Sequence, residues 1–122
     1  MASQQQFEHF DVRDFSTTRC PLHGLLNILS GPWTMYILWL LRTHGEMRFG
    51  QIKKQLPNIS AKVLTERLRM LEEADILIRR HEPTIPPKVS YRFSERGHQL
   101  ENILDQINTL ATAWSQSAPL KG

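Results

Sequence analysis

Residues 58–77 read NISAKVLTERLRMLEEADIL, and which side of this segment is buried decides how the rest of the chain is read. At about 100° per residue, Leu64, Leu68 and Leu71 lie within about 60° of one another and form one apolar stripe. Lys62, Thr65, Glu66 and Arg69 lie about 100° to 200° away from Leu64, on the opposite side. Ser60 stands at the helix N-cap, where a hydroxyl oxygen accepts from a backbone N–H that the first turn leaves without an intrahelical partner. The segment is therefore predicted to be an amphipathic helix from Ser60 to about Ala74. Its leucines face a core, and two cations, a hydroxyl and a carboxylate face outward. Arg67 borders the buried stripe and is read as a packing residue.

Upstream, Cys20-Pro21 suits a helix start, since proline at the first helical position loses no bond. Leu22, Leu25, Leu26 and Leu29 follow at helical spacing until Ser30-Gly31. Pro32 is expected to open a second helix through Trp33, Tyr36, Ile37, Leu40 and Leu41, ending near His44-Gly45. Met47-Arg48-Phe49 reads as a short extended piece, and Phe49 to Leu56 as a brief helix closed by Pro57. Downstream, Ile76–Glu82 and Val89–Phe93 are β-branched and aromatic runs joined by Pro83-Thr84-Ile85-Pro86-Pro87-Lys88, the pattern of a hairpin with a stiff loop. Ser94 is expected to cap one long final helix. Residues 1–19, with their Gln4-Gln5-Gln6 run, read as a loose arm.

These elements fit one domain of 122 residues, mainly α with a small β-hairpin. The expected divisions are an arm at 1–19, a core at 20–96, and a C-terminal dimerisation helix and tail at 97–122. Pro21–Leu41 is uncharged but is broken by Gly31-Pro32, so it reads as two packed helices rather than a membrane span. No secretory signal opens the chain, and a lone Cys20 excludes an internal disulfide framework; the expected compartment is the cytoplasm. His9, His23, His44, His81 and His98 are scattered without metal-ligand spacing. No glycine-rich phosphate loop or nucleophile elbow occurs. An enzyme is not expected, nor is a cofactor or a metal.

Charge is unevenly distributed. The net charge is +3, yet residues 42–96 hold twelve basic and seven acidic side chains, and both flanks are slightly acidic. A positive middle suits a polyanion. A short helix, the turn Pro57-Asn58-Ile59 and the Ser60–Ala74 helix have the layout of a helix-turn-helix. In that layout the second helix enters the DNA major groove. Arginine and lysine donate to guanine O6 and N7, and threonine can meet a base edge or a thymine methyl. The hairpin that follows reads as a wing, with Lys88 in its loop and Arg79, Arg80 and Arg92 on its strands. Its prolines limit the entropy lost when the loop settles on a partner. The expected DNA-binding residues are Ser60, Lys62, Thr65, Glu66, Arg69, Arg79, Arg80 and Lys88. The competing reading of the same face is a solvated surface, with the winged helix serving as a protein-interaction module without sequence-specific DNA binding.

Cys20-Pro21, Gly31-Pro32-Trp33-Thr34, Arg48-Phe49, Ile59-Ser60-Ala61-Lys62-Val63-Leu64, Leu71-Glu72, Pro83–Tyr91 and Trp114 resemble, in order, the HxlR-type winged helix-turn-helix transcription regulators. The resemblance covers about Cys20 to Trp114. It implies a bacterial or archaeal homodimer, with Ser60–Ala74 as the recognition helix, Pro83–Lys88 as the wing and helices at both chain ends as the dimer contact. Three departures stand out. Pro32 replaces the lysine that the family usually carries before the tryptophan. Asp75 replaces the usual glycine before the wing, and Ser94 replaces a more common threonine.

The expected partners are therefore double-stranded DNA carrying a pseudo-palindromic operator and a second copy of the chain. The stripe Leu100, Ile103, Leu104, Ile107, Leu110, Ala111 and Trp114, at alternating intervals of three and four, is read as the dimerisation surface, at least in part; its other reading is the completion of the monomer core. Cys20, at a helix N-cap beside Arg19, has the setting of a reactive thiol. It is a candidate sensor of oxidants or electrophiles, as the resemblance also implies. Its other reading is a small buried hydrophobe.

Overall fold

The computed structural model describes residues 20–117; the arm expected at 1–19, Arg19 with it, and residues 118–122 lie outside the described residues. The amphipathic helix expected from the sequence is present as α4 (Ala61–Glu73), with Ser60 as its N-cap and Leu64, Leu68 and Leu71 fully buried. The remaining elements are α1 (Pro21–Leu29), α2 (Thr34–His44), β1 (Met47–Arg48), α3 (Phe49–Gln55), β2 (Leu77–Glu82), β3 (Lys88–Phe93), α5 (Glu95–His98) and α6 (Glu101–Ser117). The three α4 leucines share one core with Ile28 from α1, Ile37, Leu38 and Leu41 from α2, Ile52 from α3 and Phe93 from β3.

The strands form a three-stranded antiparallel sheet in the order β1-β3-β2. β2 and β3 pair from Leu77 opposite Phe93 to Glu82 opposite Lys88, and Met47 of β1 pairs with Tyr91. The expected extended piece at Met47 thus becomes the third strand of the wing sheet. Because successive residues of a strand point to opposite faces, Leu77, Arg79, Tyr91 and Phe93 lie on one face and Arg80, Ser90 and Arg92 on the other.

A single joint ties α4 to the sheet. The Ile76 N–H donates to the Leu71 carbonyl at 2.9 Å and the Asp75 N–H to the Glu72 carbonyl at 3.0 Å. With Asp75 at φ 61°, this is a left-handed helix stop, and both residues it brings together, Leu71 and Ile76, are buried. Ser94 closes the joint from the other side. Its Oγ donates to the carbonyls of Asp75 (2.6 Å) and Ile76 (3.1 Å) and accepts from the Gly97 N–H at 2.9 Å. A side chain at residue 97 would strike the Ile76 carbonyl and Phe93, so only glycine permits this approach.

Four features differ from the sequence reading. α1 buries Gly24 and Ile28 and packs half-buried Leu25 and Leu29 against the core, while Leu22 and Leu26 are exposed, so only half of its apparent leucine stripe faces inward. α2 begins at Thr34 rather than Pro32, because the chain turns 82° between α1 and α2 and Trp33 takes a left-handed φ of 68° to do so. Ser94 caps the four-residue α5 rather than one long helix; the chain breaks at Gln99-Leu100 before α6 begins. Lastly, Leu100 and Leu104 are buried in the chain's own core. They complete the monomer core, which extends past the expected division at residue 97.

α6 is held by a second device. Arg42 of α2 donates through Nε and Nη2 to the two carboxylate oxygens of Asp105 at 3.0 and 2.7 Å, and its Nη1 lies 3.4 Å from Glu101. Hydrogen bonding to Arg42, opposed by desolvation and aided by the guanidinium charge, holds the Asp105 carboxyl below its ordinary range. The two-pronged geometry fixes direction as well as distance, so the outward half of α6 leaves the core at a defined angle.

Asp75 is the costly residue of the joint: it bears a side chain in left-handed backbone, and its charge stands at the negative end of α4. Asp75→Gly is expected to stabilise the fold by roughly 0.5–1 kcal/mol, read as a higher urea midpoint. Asp75→Asn should recover only the charge part. An unchanged or lowered midpoint for the glycine variant would show that the left-handed turn is not strained.

Candidate nucleic-acid interface

Between α3, α4 and the wing lies an open cleft of about 750 Å³. Thr65 contributes from α4, Arg79 and Tyr91 from the strands, Pro86 and Pro87 from the wing loop, and Lys88 from the first position of β3. Arg48, Gln51 and Lys54 contribute from α3 and its N-cap. The lining carries four cations, Arg48, Lys54, Arg79 and Lys88, and no carboxylate.

Each α4 side chain has a defined place. Ser60 is used by the helix itself, its Oγ accepting from the Val63 N–H at 3.1 Å. Thr65 donates its hydroxyl hydrogen to the Ala61 carbonyl at 2.8 Å, which leaves its methyl and oxygen lone pairs for an incoming group. Lys62, Glu66 and Arg69 are exposed along the outer face, and neither Lys62 nor Arg69 meets a carboxylate among the described residues. Arg67 behaves as read from the wheel: its guanidinium lies against Gly31, in the space a side chain there would need.

The two neighbouring wing arginines part company. Arg79 lines the cleft, whereas Arg80 stands on the opposite face of the strand, 3.5 Å from Glu46 and 3.6 Å from Glu82. Arg92 shares that face at 3.8 Å from Glu46, whose carboxylate also accepts from Ser90 Oγ at 2.7 Å. Arg80 therefore stands outside the cleft, in a carboxylate-anchored cluster on the other face of the sheet, because strand alternation keeps the two arginines from serving one face.

Conversely, Arg48, Gln51 and Lys54 line the cleft although no local sequence feature marks them beyond the place of α3 as the lead-in to the turn. The available signal was positional, since the first helix of a helix-turn-helix crosses the phosphate backbone. The Arg48 N–H donates to Gln51 Oε1 at 2.8 Å, which ties this end of α3 down.

The remaining candidates lie elsewhere. Cys20 is exposed at the N-cap of α1, an element that does not line the cleft, so its reading as a buried hydrophobe is set aside. On α6, Ile103, Ile107, Leu110 and Trp114 are 44% to 52% exposed and Ala111 is half-buried. Among the described residues no group of His, Cys, Asp or Glu side chains is placed to hold a metal ion. No single helix there is long and apolar enough to cross a membrane.

The family model described as HxlR-like helix-turn-helix matches residues 28–119. This chain belongs to the HxlR family. It is 36% identical over 98 residues to MalR of Fusobacterium mortiferum, a protein assigned a regulatory role, covering 80% of this chain and 92% of that one. The crystal structure of the HTH-type transcriptional regulator YtcD, a protein of Bacillus subtilis, superposes with a TM-score of 0.70 at 38% identity, over 75% of this chain and 93% of that one. The redox regulator HypR in its reduced form superposes at 0.69 with 31% identity, over 80% of this chain and 92% of that one. The HxlR chain described here is thus a transcriptional regulator with a winged helix-turn-helix, and its relatives are regulators rather than enzymes.

The cleft separates the two wing arginines in a testable way. Arg79→Ala should weaken duplex binding and flatten the dependence of log K on log salt by about 0.9, the value of one phosphate contact. Arg80→Ala should leave that slope nearly unchanged. Equal effects in a salt titration followed by fluorescence anisotropy would mean that the cleft does not sort them.

Proposed function

We propose that this HxlR-family regulator acts in the cytoplasm as a homodimer on a pseudo-palindromic DNA site. Each α4 enters a major groove, with Lys62, Thr65, Glu66 and Arg69 toward the bases. The cleft cations Arg48, Lys54, Arg79 and Lys88 take the flanking phosphates. One observation carries the reading: the chain's cations divide by place. Those in the cleft and on the outer face of α4 have no carboxylate partner among the described residues, while Arg42, Arg80 and Arg92 are held by acids on other faces. Cations left without partners on one side make a field that draws a polyanion. The types on α4 suit base edges: arginine and lysine for guanine, the threonine methyl for thymine, and glutamate for the cytosine amino group.

Pairing of two chains is supported by apolar side chains that have no core to enter. Ile103, Ile107, Leu110 and Trp114 line the projecting part of α6, and Leu22 and Leu26 stand exposed on α1. Burying them against a second copy removes that apolar surface from water. The same operator binding is proposed to respond to oxidants or electrophiles through exposed Cys20 at the start of α1. HypR, similar to this chain across most of its length, is a redox regulator solved in both reduced and oxidised forms.

Selection of duplexes from a random pool by the full-length protein tests the reading. A pseudo-palindromic consensus bound by two chains is expected, with Lys62→Ala, Thr65→Ala and Arg69→Ala each relaxing preference within a half-site. A diamide arm, run on wild type and on Cys20→Ser, should shift affinity only for the wild type. Binding that is insensitive to sequence and salt would instead favour the protein-interaction module. An equal diamide response in both proteins would remove Cys20 from the account.

A further inference from the structure

The most exposed large apolar side chain among the described residues is Ile85 at the wing apex, 101% accessible. Leaving an isoleucine in water forgoes a favourable burial, and here the loop holds it there by construction. The Thr84 N–H donates to the Glu82 carbonyl and Thr84 Oγ1 to the Pro86 carbonyl, both at 2.8 Å, so the residues on either side of Ile85 are cross-tied. Pro83, Pro86 and Pro87 limit the backbone further. Residues 83–88 contain no acid, and Lys88 and Arg79 stand at the base of the loop facing the cleft. An ordered apolar tip beside unpartnered cations is suited to a surface that is anionic at its rim and apolar at its walls.

Duplex DNA offers such a surface at one place. A phosphate strand lying in the cleft has the major groove on its α4 side and the minor groove on its wing side. We propose that Ile85 reads the minor groove: it enters beside the phosphate strand held in the cleft, packs against the deoxyribose walls, and favours A·T pairs at that step. This deepens the DNA-binding reading above and rests on it. The preference follows from shape and solvation. Only G·C pairs project a 2-amino donor into the minor groove, which would occupy the space of the branched side chain and lose water without gaining an acceptor. Apolar side chains inserted at such steps are a recurrent means of holding the minor groove.

The test uses full-length protein and duplexes taken from the selected consensus, with the step beneath the wing set to A·T, G·C or inosine·C. Inosine keeps the major-groove face of guanine but lacks its 2-amino group. Wild type should bind the A·T duplex about tenfold tighter than the G·C duplex, the factor expected for burying most of an isoleucine, and inosine·C should restore most of the loss. Ile85→Ala should lose both the preference and a similar factor in affinity for the A·T duplex, with unchanged thermal stability and salt slope. Ile85→Ala binding the A·T duplex as tightly as wild type would overturn the proposal, and so would inosine·C behaving as G·C. Failure of the wild type to bind any duplex would be a different result, sinking the DNA reading beneath it.

Discussion

The relation between α4 and the wing depends on the knot at Leu71, Asp75, Ile76 and Ser94. At this point a helix ends, a strand begins, a second strand ends and a short helix starts, all within one set of hydrogen bonds. Because the Ser94 hydroxyl bonds two carbonyls of the α4–β2 turn while capping α5, the hairpin cannot swing without breaking several buried bonds together. Gly97 lets the backbone close on Ile76 without a side chain between. The cleft is the space this knot leaves between helix and hairpin. Its cations are brought to one side because this set of hydrogen bonds fixes the hairpin against the helix.

Around that joint the chain separates burial from charge. Leu64, Leu68 and Leu71 put one side of α4 into the core, so the opposite side must face outward whatever it later meets. The sheet repeats the logic at its own period: one face carries Tyr91 and Phe93 inward and Arg79 toward the cleft, while the other collects Arg80, Arg92, Ser90 and Glu46. Neutralising the rear cations leaves the front ones to set the local field, which is how a chain of modest net charge can present a basic groove. The Arg42–Asp105 fork serves a different end, directing α6 and its exposed apolar residues away from the core.

Much of this was legible in the sequence. The leucine spacing of α4, the Ser60 cap and the two strand runs around Pro83–Lys88 are local signals, decided by period and by side-chain chemistry within a few residues. What was not legible required knowledge of a neighbour. Alternation alone puts Arg79 and Arg80 on different faces of the strand, but which of the two faces the cleft is set by the helices packed beside it. Leu22 and Leu26 look like core at helical spacing, but the buried residues of α1 are Gly24 and Ile28. Leu100 and Leu104 continue the α6 stripe in period yet belong to the monomer. The left-handed turn at Trp33 accompanies the sharp bend between α1 and α2, which no local propensity encodes, whereas the one at Asp75 falls where the family usually carries glycine.

The central claim is that two copies of α4 occupy successive major grooves. Methylation interference on the selected operator tests it most directly, since a methyl at guanine N7 blocks the major groove alone. The account predicts two clusters of interfering guanines separated by about one helical turn, roughly 10 base pairs, both lost in the Lys62→Ala, Arg69→Ala double variant. A single cluster, or tight binding indifferent to N7 methylation, would contradict it.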